Sequence, residues 1–353
     1  YPHVLVAGTN GKGSTCIYLE RMLMSTGLSV GTTMSPHVAR FSERFRIDGT
    51  EADAAELKNL RSELDPVVSS IDLTYFEWCV ILAAVLFERH KVDVGIFEVG
   101  LGGRYDASNT LDPIVSLITE ISLDHIDYLG NTIVAIAREK AEIARPGRPL
   151  ITTATGEALG VIREYAQSIG AEPLEVKEPL GLPVALPGAS QGMNAALALE
   201  AAHTLGLYPG DEGLNHALMT SFLPGRIEML GPGIIMDVAH NPSSVLVLVE
   251  HLKKCGFEGV AVAGILSDKD YLKIITTLKT VCPHLFIAPV QSPRSWGEPE
   301  MRRVEALGGV TRCKSITQAF FEALRTGCST VVTGSFYTVG EVRELLICRG
   351  WPA

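Results

Sequence analysis

The 353-residue sequence lacks several things, and each absence removes a class of protein. No apolar run reaches membrane-spanning length without a charge, and no basic stretch followed by an apolar one opens the chain, so neither a membrane helix nor a secretory leader is expected. Basic residues are in deficit: 30 Lys and Arg stand against 40 Asp and Glu, a formal charge of -10. This argues against sequence-independent nucleic-acid binding, which needs a broad basic face, although a local positive pocket can coexist with an acidic surface. The seven cysteines are scattered, odd in number and free of any CxxC pair. They read as reduced thiols of a cytoplasmic protein, not as disulfides or a zinc site. No repeat of solenoid period and no low-complexity tract is present. The first residue is Tyr1, not methionine, directly before the first strand, and the sequence leaves open whether Tyr1 is a native start.

What is present begins almost at once. An apolar run from Val4 to Ala7 breaks into Gly8-Thr9-Asn10-Gly11-Lys12-Gly13-Ser14-Thr15. Glycines let backbone N–H groups turn toward an anion, and the helix that follows points its positive end at the same place. This is a phosphate-binding loop: Lys12 neutralises the β- and γ-phosphates, and Ser14 or Thr15 holds Mg²⁺. It departs from GxxxxGK[ST], because Val6 stands where the first glycine would be and Gly13 replaces the hydroxyl residue after the lysine.

Beyond the loop the pattern alternates. Apolar residues at helical spacing follow to Ser25-Thr26-Gly27. Strands are expected at 28–33, 92–99, 114–121 and 150–153, and helices at 51–70, 76–90, 133–144, 156–170 and 194–205. The stretch 172–191 reads as irregular or briefly extended. Such alternation implies a mostly parallel, doubly wound sheet, with the site along its carboxyl edge. The alternation restarts after Leu223-Pro224-Gly225, with strands at 234–238, 259–264 and 330–333 and a helix at 244–255. The fold class expected is therefore α/β: a P-loop domain with a doubly wound, mostly parallel sheet over 1–224, and a smaller Rossmann-like α/β domain over 225–353.

Several strand ends carry chemistry. Ser35 and His37, Glu98 and His125 all follow expected strands, and Lys140 lies on a helix shortly after. A carboxylate, an imidazole and hydroxyls in that placement suit Mg²⁺ beside a triphosphate, with Glu98 supplying hard oxygen and His125 completing the shell. No Ser-His-Asp or Cys-His nucleophile pattern is recognisable.

Taken in order, GTNGKGS, SPH followed by FSERF, FEVGLGGRYDASN, LDHIDYLG, IAREKAEI, PGRIE, DVAHNP, SDKD and TGSFYTVGEVR resemble the folylpolyglutamate synthase and dihydrofolate synthase family of the Mur ligase superfamily, from near residue 3 to near 345. The resemblance implies an ATP-dependent ligase that joins L-glutamate to a pteroate or folate carboxylate through an acyl-phosphate, with residues 1–224 as the ATP-binding domain and 225–353 as the glutamate-ligase domain. It implies two Mg²⁺ sites: Ser14, Ser35 and Glu98 at the first, and His125 and Lys140 at the second, where the family's lysine is typically carbamylated; unmodified, Lys140 is instead a cation beside the acyl-phosphate or a surface lysine of its helix. Phosphates fall to the loop from Gly8 to Thr15 and to Arg226, adenine to Asn194, and ribose and phosphate to Asp237 and His240. Lys12, Glu98, His125, Lys140 and Arg226 become the catalytic set, in a monomer that takes small molecules only. Ser190 stands where that family often has histidine, and the stretch between Arg46 and Thr74 is short. The competing readings are a Mur-type amino-acid ligase of cell-wall precursors, a non-catalytic ATP-binding protein and a plain phosphohydrolase.

Overall fold

The computed structural model describes residues 1–231 and 233–349. The chain divides into two compact units, Tyr1–Leu186 with Ser190–Phe222, and Pro187–Ala189 with the chain from Leu223 onward.

The first unit carries the strands β1 (His3–Ala7), β2 (Val30–Thr33), β3 (Phe45–Ile47), β4 (Thr50–Glu51), β5 (Val94–Glu98), β6 (Val115–Ile118), β7 (Pro149–Thr152) and β8 (Glu172–Glu175). Its helices are α1 (Lys12–Ser25), α2 (Ala54–Val68), α3 (Tyr75–His90), α4 (Ile126–Leu129), α5 (Ile133–Ala141), α6 (Gly156–Ile169), α7 (Gln191–Thr204) and α8 (Gly210–Thr220). The strands form one sheet in the order β4-β3-β2-β5-β1-β6-β7-β8, parallel from β2 to β8, with β3 and β4 added antiparallel. This is the doubly wound sheet expected from the alternation. The antiparallel β3–β4 hairpin was not among the expected elements, and its two strands are three and two residues long.

Strand alternation sorts the core into two faces. Leu5, Ala7 and Phe97 join Cys79, Ala83 and Phe87 of α3, Ala137 of α5 and Ile162 of α6 in one apolar cluster. Val4 and Val6 are buried but belong to the other face, where α1 packs along α7 and α8. The helices begin where capping chemistry allows. Asp53 accepts from the Glu56 N–H at 2.8 Å to open α2, and Thr74 and Glu77 exchange hydrogen bonds to open α3. β1 lies between β5 and β6, so the segments leaving their three carboxyl ends converge.

The second unit repeats the plan on a smaller scale. β9 (Glu228–Met229), β10 (Ile234–Met236), β11 (Gly259–Ala263), β12 (Leu285–Ile287), β13 (Val310–Arg312) and β14 (Ser329–Thr333) are ordered β13-β12-β11-β14-β10-β9, all parallel except β9. Its helices are α9 (Pro242–Lys254), α10 (Tyr271–Leu278), α11 (Glu298–Glu305), α12 (Ile316–Arg325) and α13 (Phe336–Cys348). Val245, Leu248 and Leu252 of α9 and Ile274 and Leu278 of α10 pack on Ala261, Leu285 and Val331 in a core of its own.

Candidate active site

The loop between β1 and α1 owes its shape to two glycines. Gly8 has φ 142°, and a Cβ there would meet Thr119 Oγ1 at 1.7 Å. Gly11 has φ 90°, and a Cβ there would lie 2.4 Å from Asn194 Oδ1. Neither position admits a side chain. The end of β6 braces the same loop: Thr119 Oγ1 donates to the Asn10 carbonyl at 2.6 Å, and Thr9 Oγ1 donates to the Ser122 carbonyl at 3.1 Å. The Lys12 ammonium donates to the Gly8 and Thr9 carbonyls at 3.1 Å each, which folds it over the loop. Ser14 and Thr15 are buried in the first turn of α1, and Thr15 Oγ1 is enclosed without a hydrogen-bond partner. An orphaned hydroxyl and a helix amino end at one place form a seat for an anion.

The remaining residues expected in this unit fall at the same sheet edge. Asn194 donates to Gln191 Oε1 at 3.2 Å, and Gln191 donates to Ser14 Oγ at 3.3 Å, so α7 is tied to the loop through a pair one helical turn apart. Glu98 ends β5 and is 7 % exposed. Its Oε2 accepts from the backbone N–H of Ser35 at 2.8 Å, and its charge is felt at Cys16 inside α1, where burial is the main cause of the raised thiol pKa. His125 adopts φ 50° ahead of α4, donates its backbone N–H to Asp124 Oδ1 at 2.8 Å, and holds Nε2 at 3.9 Å from Asp124 Oδ2.

Lys140 is the electrostatic centre. It lies on α5 and is 5 % exposed, and burial pushes its pKa down from 10.5 to about 7, with Lys12 adding repulsion and Asp124, Asp106 and Glu139 opposing. Lys12, Asp124 and Lys140 therefore share one field.

Among the described residues, no three His, Cys, Asp or Glu side chains gather into a preformed metal cage. The donor set still fits Mg²⁺, which binds through one or two carboxylates, hydroxyls, waters and substrate phosphates in preference to an all-protein shell. Glu98, Ser14 and Ser35 offer hard oxygens of that kind.

Three features escaped sequence reasoning. Asp106 accepts from the N–H groups of Gly100, Leu101 and Ser108 at 2.9, 2.9 and 3.0 Å and so folds the glycine turn after β5. Gln191 was given no role, and its i, i+3 spacing from Asn194 was the available signal. Arg44 is 7 % exposed, donates from Nε to His37 Nδ1 at 2.8 Å and lies 5.3 Å from the Tyr75 ring centre. Burial, followed by the Arg44 charge, lowers the His37 pKa.

In the second unit, Arg226, Asp237 and His240 form a separate group. Asp237 is 7 % exposed, and its carboxylate accepts from the Ile227 N–H at 2.9 Å through Oδ2 and from the Ala239 N–H at 2.8 Å through Oδ1. Burial raises its pKa, against the pull of Arg226. His240 Nδ1 donates to the Val238 carbonyl at 2.9 Å, and both His240 and Arg226 lie beside the Phe336 ring.

A model of the Mur ligase middle domain matches residues 6–171. The dihydrofolate synthase/folylpolyglutamate synthase of Escherichia coli K12 is 36% identical across 98% of this chain and 86% of its own length. This chain belongs to the dihydrofolate synthase/folylpolyglutamate synthase family. The solved structures agree. The E. coli FolC complex with DHPP and ADP superposes with a TM-score of 0.89 at 35% identity, over 99% of this chain and 89% of that one. The Yersinia pestis bifunctional folylpolyglutamate synthase/dihydrofolate synthase, complexed with AMPPNP and Mn ion, gives 0.89 at 35% identity over 98% and 89%. The family's two-part α/β architecture is thus that of this chain. No helix among the described residues is long and apolar enough to cross a membrane.

Proposed function

We propose that the chain condenses L-glutamate with dihydropteroate, a reduced folate, or both, at the expense of ATP. The observation that carries this reading is the meeting of the glycine loop, Glu98 and buried Lys140 at one sheet edge, in a member of a family of glutamate ligases. The reading makes 1–224 the ATP-binding domain and 225–353 the glutamate-ligase domain, in a cytoplasmic monomer with no nucleic-acid partner.

The chemistry needs two displacements. A substrate carboxylate oxygen attacks the γ-phosphorus, ADP leaves, and an acyl-phosphate remains. The neutral glutamate amine then attacks the acyl carbon, phosphate leaves, and the amine's proton passes to solvent. An anionic carboxylate approaches an anionic triphosphate only where charge is neutralised. Lys12 and the α1 amino end hold the β- and γ-phosphates, and Arg226 reaches the transferred phosphate. Asn194 contacts adenine, and Asp237 and His240 contact ribose and phosphate. Divalent ions, when bound, neutralise the triphosphate and the acyl-phosphate oxygens. Ser14, Ser35 and Glu98 hold one such ion. His125 and Lys140 hold the other, and Lys140 does so as a carbamate: its lowered pKa keeps much of the amine neutral near pH 7, the form that adds CO₂.

The test is ADP release with ATP, Mg²⁺ and L-glutamate, with dihydropteroate in one reaction and tetrahydrofolate in another, and product mass read at the end. ADP formed only when both pterin and glutamate are present, with a mass gain of one glutamate, is the expected result. Release indifferent to the pterin turns the reading toward a hydrolase or a Mur-type ligase. No release sinks the catalytic reading.

A further inference from the structure

Two sequence motifs have no place in the chemistry above: the Glu228 end of PGRIE and the long tail of TGSFYTVGEVR. The structure joins them. Arg343 Nε donates to Glu228 Oε1 and Oε2 at 3.2 and 3.3 Å, and the two side chains are 3% and 2% exposed. A buried ion pair is a poor source of stability, because taking both charges out of water offsets most of their attraction. Its retention asks for another reason.

Glu228 Oε2 also accepts from the Gly225 N–H at 2.8 Å, and the Gly225 carbonyl accepts from the Val238 N–H at 2.9 Å. On the other side of Arg226, the Ile227 N–H is held by Asp237. Ile227 has φ 49°, a left-handed conformation that a β-branched residue adopts only when its surroundings over-determine it. The backbone is therefore fixed immediately before and after Arg226, in a shape the sequence alone would avoid. The Arg226 guanidinium lies 5.6 Å from the ring centre of Phe336, the first residue of α13, and Arg343 lies two turns further along that helix. One helix thus supports the arginine's head and, through Glu228, its backbone.

We propose that Glu228 and Arg343 are positioning residues that act through Arg226, fixing the direction in which its guanidinium leaves the chain. The inference rests on the reading of Arg226 as the arginine that reaches the transferred phosphate.

The test is a double-mutant cycle on the full chain. Glu228→Gln keeps an acceptor for the Gly225 N–H but removes the carboxylate charge from beside Arg343. Glu228→Gln with Arg343→Met removes both charges and is the variant to use if the single substitution fails to fold. Each is made in the parent and in Arg226→Ala, with turnover read by product mass and the thermal midpoint recorded. The expected result is a kcat roughly tenfold or more lower in the parent background, KM for the pterin little changed, and less than about a twofold effect in Arg226→Ala. Any shift of the thermal midpoint is the same in both backgrounds, and Arg343→Lys with Glu228 intact keeps more of the parent kcat than the doubly substituted variant does. An equal fold-loss of turnover in both backgrounds makes the pair merely structural and overturns the proposal. Near-normal turnover by Arg226→Ala alone overturns the role given to Arg226, and the inference with it.

Discussion

At the scale of single residues, Lys140 concentrates the most chemistry. An unfolded lysine keeps its proton up to about pH 10.4, whereas the buried ammonium of the folded chain loses it near 7. Between those values the unfolded chain binds the extra proton, so Lys140 makes stability rise with pH across that window, and below 7 the burial penalty is present in full. Lys140→Met removes the penalty. In protein stripped of divalent ions and CO₂, its thermal midpoint should exceed the parent's most at and below about pH 7, and the gain should fade toward pH 10.5, while ligase turnover is lost throughout. A gain that grows with pH would contradict the assignment. Lys12→Ala should abolish ATP turnover and Arg226→Ala should severely reduce it, because each removes a charge aimed at a phosphate; near-normal turnover by either variant contradicts its role. Residues of this kind are unevenly legible. The glycine loop announces itself because its chemistry is contiguous. The burial of Lys140 does not, because a lysine in Arg138-Glu139-Lys140 looks like any solvated helix face until α5 is placed against the sheet edge. Arg44 and Asp106 stayed unassigned for a related reason: their partners are His37 and three backbone N–H groups, which sequence spacing does not reveal.

At the scale of elements, the loop and α1 act as one device, and its tolerance is narrow. Gly11 is left-handed and its missing Cβ would fall on Asn194 Oδ1. Gly11→Ala should therefore cost about 1–3 kcal/mol locally and weaken ADP by roughly tenfold, while circular dichroism stays that of the parent. Unchanged ADP affinity in a direct titration would show that the loop can yield and that the close approach to α7 is incidental. Elements with many residues per period were readable from the chain: α3 and α6 announce themselves through apolar spacing, and β5 and β6 through short apolar runs bounded by turns. The expected strands overran the observed ones by a few residues, 92–99 against Val94–Glu98, because flanking apolar residues such as Val92 and Val99 are buried just beyond the paired stretch. The short pieces were not readable. β3, β4, β12 and β13 have two or three residues each, too few for alternation to show, and they are strands only because neighbours pair with them.

At the scale of the whole molecule, a chain of net charge -10 handles polyanionic substrates by confining its positive groups to particular places, not by a basic surface. Lys12, Lys140 and the α1 amino end sit in one unit, and Arg226 in the other. Each unit has its own sheet and its own apolar core. Cores built separately open separately, so a ligand gripped by one should protect it more than the other. ADP at a hundred times its dissociation constant adds about 2.7 kcal/mol to whatever binds it. Hydrogen exchange with Mg²⁺-ADP should accordingly slow most at β1, β5 and β6, the strands that carry the glycine loop and its braces, and much less at β11 and β14. Equal slowing at both sets would mean that the two cores open as one, and that binding energy collected at the glycine loop is shared by the second sheet. Unequal slowing would confine that energy to the first unit and leave Arg226 to be set by its own supports, the pair Glu228–Arg343 and the start of α13.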